Sequence, residues 1–234
     1  MEPKDDAEFI EPYEDNFEEL LSQYKPIRST WKELPFPDLS NSENIAEIEK
    51  NPHPQSLTVR RFAKDLLDKG KVEEAFSLAR KPISEIKSLL AINNNKKLTS
   101  FLVFLYQNIG WLVNQLPDDK KSLYINEGIE AIKTAHNLGK NAYGVLLYNR
   151  IEILTQWVNL LTAKGRSNSI GDSLSEILYI EEEFSSNLSK IGRNFYFSER
   201  MKTIDFKIAL NKFYYKISME TKYLTYSLKG LKKS

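Results

Sequence analysis

Proline placement divides this chain in two. Seven of its nine prolines (Pro3, Pro12, Pro26, Pro35, Pro37, Pro52 and Pro54) fall within residues 1–54. Proline has no backbone donor and pushes the residue before it toward extended geometry, so residues 1–54 are expected to be an extended arm rather than long regular helix. One stretch of the arm keeps helical spacing. Ile10, Tyr13, Phe17, Leu20, Leu21 and Tyr24, with Glu14, Asp15, Glu18 and Glu19 between them, read as a short acidic amphipathic helix. Residues 40–50 can add another turn or two. The arm holds too few apolar residues to offset its own ordering entropy and is not expected to fold alone.

From residue 55 to 234 only Pro82 and Pro117 remain, and helical periodicity takes over. Residues 57–69 set Val59, Phe62, Ala63, Leu66 and Leu67 on one face and stop at Gly70. Residues 72–92 follow, with a kink expected at Pro82. Helices at 97–116, 123–138, 141–164 and 172–189 come next, with Gly139 and Gly165 as stops and Asp172 as a cap. A long terminal helix over 198–228 completes seven. No segment of 55–234 alternates with period two, so the fold class is all-α, built of antiparallel helical hairpins.

Residues 98–116 contain no charge over 19 positions, enough length for a membrane span. However, Thr99, Ser100, Gln107 and Asn114 gather on one arc, while Phe101, Leu102, Leu105, Ile109, Leu112 and Leu116 lie opposite. Lipid gives no reason for such sorting, and the segment reads as the central, nearly buried helix of a soluble protein. The chain has no cysteine, which removes disulfides and thiolate chemistry and fits a reducing, cytoplasmic setting. Residues 1–10 carry four acids and no apolar run, so they do not read as a secretory signal. The net charge of +1 conceals an asymmetry. Residues 1–50 hold 14 acidic and 5 basic side chains, and residues 190–234 hold 3 and 11. Such opposed ends steer either toward each other or toward separate partners.

Phe62, Ala63, Leu66 and Gly70, followed by Ala75 and Ala79, place small residues where two helices cross and a glycine at the turn between them. In this the chain resembles tetratricopeptide-like helical repeats over about one repeat. Pro82, inside the second helix, departs from the pattern. The resemblance implies a right-handed stack of hairpins, or a bundle, whose concave groove takes peptides or helices. It assigns no site residue.

Residue chemistry argues against an enzyme. Neither His53 nor His136 has a glutamate three residues before it, and no paired-histidine zinc motif exists, so no metal site or cofactor is expected. Residues 139–144 have the glycine spacing of a phosphate loop but are followed by Val145-Leu146 instead of lysine and a hydroxyl residue. Residues 166–171 read as a loop, with anion binding at the next helix start as the alternative. No catalytic residue is assigned. Three polar residues do sit where the helical pattern wants apolar ones: His136, Arg150 and Glu181. A buried charge needs a partner, so Arg150 and Glu181 are expected to meet, either as a structural ion pair or as part of a polar pocket for a carboxylate or amide.

The terminal helix carries two apolar stripes. Phe206, Leu210, Phe213, Ile217, Leu224 and Leu228 form one, and Met201, Ile204, Ile208, Tyr215, Met219 and Tyr226 form another roughly opposite, with lysines between. A capping helix needs one apolar face. The second stripe is therefore the expected partner-binding surface, covered by the acidic arm or by another molecule. The chain reads as a non-enzymatic adaptor, assembly factor or regulator that binds a protein or peptide, with a homodimer through the arm or the terminal helix as one form. The alternative is binding of nucleic acid or an anionic membrane surface by the basic terminal helix, disfavoured because arginine is scarce there.

Overall fold

The computed structural model describes residues 35–92, 95–142, 145–164, 170–189 and 197–231. These residues all belong to one compact unit, Pro35–Ser234. The acidic helix expected in the arm, the stop at Gly165 and most of the loop over 166–171 lie outside them. Eight helices and no strand occur among the described residues: α1 Ser42–Lys50, α2 Pro52–Asp68, α3 Val72–Ile92, α4 Lys96–Gln115, α5 Asp118–Gly139, α6 Leu147–Lys164, α7 Ile170–Ser189 and α8 Phe197–Leu231.

Local chemistry sets the boundaries. The Asn41 side chain accepts the Glu43 N–H at 2.8 Å to start α1, and Asn95 accepts the Lys97 N–H at 3.0 Å to start α4. Helix α2 begins at Pro52, ahead of the expected residue 57, because Pro52 and Pro54 sit in its first turn, where no intrahelical donor is required. It ends in a Schellman turn. Gly70 adopts φ 75°, its N–H bonds the Leu67 carbonyl at 2.8 Å, and the Lys71 N–H bonds that of Leu66 at 2.9 Å. Helix α5 likewise starts earlier than residue 123, at Asp118 behind Pro117, with Asp118 and Asp119 complementing the positive end of the helix dipole. Helix α6 starts later than residue 141, at Leu147, where Asn149 Oδ1 receives the Leu146 N–H. Helix α7 starts at Ile170, two residues before Asp172.

The helices pack in two alternating layers. Helix α2 lies on α4, α4 on α6 and α6 on α8, while α3 packs against α2 and α4, α5 against α4 and α6, and α7 against α6. Helix α4 is the centre. Phe101, Val103, Phe104, Leu105, Ile109, Leu112 and Val113 are buried, and so are Ser100, Gln107 and Asn108. No helix of the described residues is long and apolar enough to cross a membrane.

At the α4–α5 crossing, a Cβ on Gly110 would stand 2.3 Å from Ile132 Cγ1, and one on Gly128 would stand 3.0 Å from a Val113 methyl. Backbones approach this closely only where side chains are missing. At the α2–α3 crossing Ala63, Ala75 and Ala79 are buried, the small-residue contact expected there. Helix α1 rests on α4 and α2, and Leu39 and Ile48 join the same core as Val59 and Phe101. The helical body thus takes in residues from Pro35 onward.

Candidate functional site

The two stripes of α8 have different surroundings. Phe206, Ala209 and Phe213 are buried, Leu210 and Ile217 pack against the core, and Phe206 stacks on Phe184 of α7 with ring centroids 3.9 Å apart. On the second stripe, Ile204 is 45%, Ile208 48%, Tyr215 67% and Met219 37% exposed. Met201 and Tyr226 belong to the same predicted stripe, but their side chains lie outside the described residues. Lys207 and Lys212, also exposed, stand beside these residues on the helix surface. Inner contacts anchor α8: Lys202 pairs with Glu152 of α6 at 3.3 Å, and Lys216 donates to the Thr162 carbonyl.

The second candidate lies where α5, α6 and α7 converge. His136, Gly139, Lys140 and Asn141 from the end of α5, Arg150 and Ile153 from α6, and Glu183, Ser186 and Asn187 from α7 line a pocket of about 260 Å³. It exists because α7 meets α5 through long side chains rather than close backbone approach. Glu176, Tyr179 and Glu183, spaced i, i+3 and i+7, form the face of α7 that looks toward α5. Lys133 pairs with Glu176 at 2.8 Å, and Trp157 donates its indole N–H to the same carboxylate at 3.0 Å. Lys140 Nζ reaches Glu183 at 2.8 Å and the Tyr179 hydroxyl at 2.9 Å. The buried His136 ring sits edge-on to Tyr179, its Nε2 3.3 Å from that hydroxyl and 3.4 Å from Glu183.

Each charge here has a traceable environment. Burial lowers the His136 pKa and outweighs the opposing pull of Glu183. Burial works to raise the Glu183 pKa, but the Lys140 hydrogen bond, with His136 and Tyr179, holds it below the ordinary glutamate value. Hydrogen bonds from Lys140 to Glu183 and Tyr179 raise the lysine pKa.

Of the three polar residues singled out in the sequence, the structure brings His136 and Arg150 to this pocket and turns Glu181 elsewhere. Glu181 accepts the Tyr214 hydroxyl of α8 at 2.7 Å, and Arg150 donates from Nη2 to the Lys140 carbonyl at 3.3 Å. The expected Arg150–Glu181 pair is not formed among the described residues. The physical reason is rotation about α7. Glu183, two residues on and so roughly 200° around the helix, takes the α5-facing position instead.

A further polar network escaped sequence reasoning altogether. Arg60 of α2 donates from Nε to Asn108 Oδ1 of α4 at 2.8 Å, lies over the Trp111 ring at 5.1 Å, and reaches Glu152 of α6 at 3.9 Å. Asn108 donates to the Ser56 carbonyl at 2.7 Å. Glu152 in turn holds Lys202, so one ionic chain ties α2, α4, α6 and α8 together. Burial lowers the Arg60 pKa against the raising influence of Glu152, and burial also lowers that of His53. The available signal was the i, i+3, i+7 spacing of His53, Ser56 and Arg60 on one face of α2. Its partners, 48 or more residues away, gave no local sign.

Among the described residues no group of three or more His, Asp or Glu side chains is placed to hold a metal ion. No family model, curated protein or solved structure matches this chain.

Proposed function

We propose that this protein is a non-enzymatic interaction module, an adaptor, assembly factor or regulator, that takes an amphipathic helix on the outer face of α8. The observation carrying this reading is the stripe of Ile204, Ile208, Tyr215 and Met219. It consists of large apolar side chains at i, i+4, i+11 and i+15 that are 37–67% exposed on a helix whose other face is already packed. Burying such side chains stabilises a complex by roughly 1.5–3 kcal/mol each when burial is complete. Tyrosine and methionine provide large, adaptable contact area. The alternating two-layer packing supports a tetratricopeptide-like stack of hairpins as the scaffold that holds α8 in place.

Charge narrows the partner. Exposed Lys207 and Lys212 flank the stripe, and residues 190–234 carry a net charge of +8 (11 basic, 3 acidic). The complementary partner is a helix with an apolar stripe edged by Asp and Glu.

A display selection of helical peptides on the full-length protein tests this reading, with counter-selection on Ile208→Glu. Enrichment of apolar residues at i, i+3/i+4 and i+7 between acidic flanks, with binding largely retained in salt, is the expected result. Enrichment of sequences indifferent to Ile208→Glu would overturn it. So would binding of single-stranded nucleic acid or anionic vesicles that collapses as salt rises.

A further inference from the structure

The pocket between α5, α6 and α7 is lined by a residue with one buried donor that nothing accepts from among the described residues. Lys140 and Glu183 neutralise each other at 2.8 Å. Arg150 is different. It has five N–H donors and, among the described residues, makes one hydrogen bond, from Nη2 to the Lys140 carbonyl. Its Nε is buried with no hydrogen-bond partner, and no acidic side chain pairs with it among the described residues. Asn187, only 5% exposed, lines the same pocket.

A purely structural role explains part of this. The Arg150 contact closes the C-terminal end of α5, where cations belong. It does not explain why the Nε of this guanidinium is left buried without a partner at a pocket that the Asn187 amide also lines. Buried polar atoms normally have partners. A ligand bearing a negative, planar, two-oxygen group supplies the missing acceptor, because a carboxylate matches the guanidinium fork.

We infer that this pocket is a carboxylate-binding site, in which a ligand carboxylate is held by the Arg150 guanidinium with the Asn187 amide as second donor. The Lys140–Glu183 pair and His136 complete its lining. At about 260 Å³ the pocket admits a small organic acid or the last residue of a peptide, and the shared chemistry is the carboxylate. The inference is independent of the α8 stripe, which is not part of this lining.

The chain's two histidines supply the readout, since His136 lines the pocket and His53 lies on α2. NMR titration of the imidazole Cε1–H signals of the full-length protein with N-acetylglycine, N-acetylglycinamide, succinate and inorganic phosphate tests the site. Saturable movement of the His136 signal with the acids, no movement with the amide and a stationary His53 signal are expected. A nearby carboxylate also raises the His136 pKa. Stronger binding of succinate assigns a small diacid as the natural class, and stronger binding of N-acetylglycine assigns a chain terminus. Arg150→Gln and Asn187→Asp should each weaken binding about tenfold or more, the former by removing the fork and the latter by repulsion. A His136 signal that ignores all carboxylates, or responds equally to the amide, would overturn the assignment. Phosphate binding as tight as that of the acids, or wild-type affinity in folded Arg150→Gln or Asn187→Asp, would overturn it too. The comparison of acid with amide uses only the wild-type protein, so it stands even if a variant fails to fold.

Discussion

The two faces of α8 are alike in composition and opposite in surroundings. Phe206, Ala209 and Phe213 are buried against α6 and α7, whereas Ile204, Ile208, Tyr215 and Met219 on the other side retain 37–67% of their exposure. Periodicity reveals that a helix has apolar faces but not what opposes each of them. The packed face is fixed by contacts that cross the chain: the Phe184–Phe206 stack, Lys202 on Glu152 and Lys216 on the Thr162 carbonyl. The outer face has no such partner among the described residues, which makes it the region where composition and burial disagree.

The largest expected effect comes from treating equivalent residues on the two faces alike. Phe213→Ala should cost about 3–5 kcal/mol in urea unfolding, as a fully buried aromatic does, while Tyr215→Ala should stay within about 0.5 kcal/mol of wild type. Similar losses for both would break the comparison. The α4–α5 crossing calibrates what a sealed face tolerates. Gly110→Ala would drive a methyl into the buried Ile132, 2.3–2.5 Å from two of its atoms, and should cost about 1–3 kcal/mol by the same measurement. A neutral result would mean that even this close crossing yields.

Gly70→Ala separates backbone strain from packing. Nothing stands within 4 Å of the added Cβ, but φ is +75°, so a loss of about 1 kcal/mol should come from conformation alone. The smallest effect concerns Tyr214, on the flank between the two faces. Burial, reinforced by the hydrogen bond to Glu181, pushes its pKa up to about 12. Between the unfolded value and this one the folded state binds the extra proton, so the contribution is present below pH ~10 and is lost as pH rises toward 12. Ultraviolet titration of the tyrosines should find one that resists ionisation to about that pH and titrates earlier in Glu181→Gln. An unchanged titration curve in the variant would remove the Glu181 contribution.

Much of the fold follows from local signals. Apolar spacing and stops such as Gly70 and Gly139 mark the helices from α2 to α8, and the sorted polar arc of α4 marks it as a central helix rather than a membrane span. Local signals fail where a residue's role depends on distant geometry. Pro52 and Pro54 look like breakers, yet they open α2 from its first turn. Placing Glu183 rather than Glu181 at the pocket requires knowing how α7 is rotated against α5. Each link of the Arg60 chain requires two helices distant in sequence to be packed together before it exists. Two of the three polar residues that broke the helical pattern, His136 and Arg150, do line the pocket. Asn187, which completes it, looks like an ordinary surface amide in the sequence.

The proposed role of the outer stripe of α8 is that of a surface that binds rather than a core face. Its most direct test is one variant measured twice: Ile208→Glu by thermal melt and by affinity for a helix selected on the wild-type protein. An unchanged melt with affinity reduced at least about tenfold is the predicted result, because a charge on an exposed position costs the fold little and a desolvated interface much. A collapsed melt, or an unchanged melt with unchanged affinity, would contradict the account.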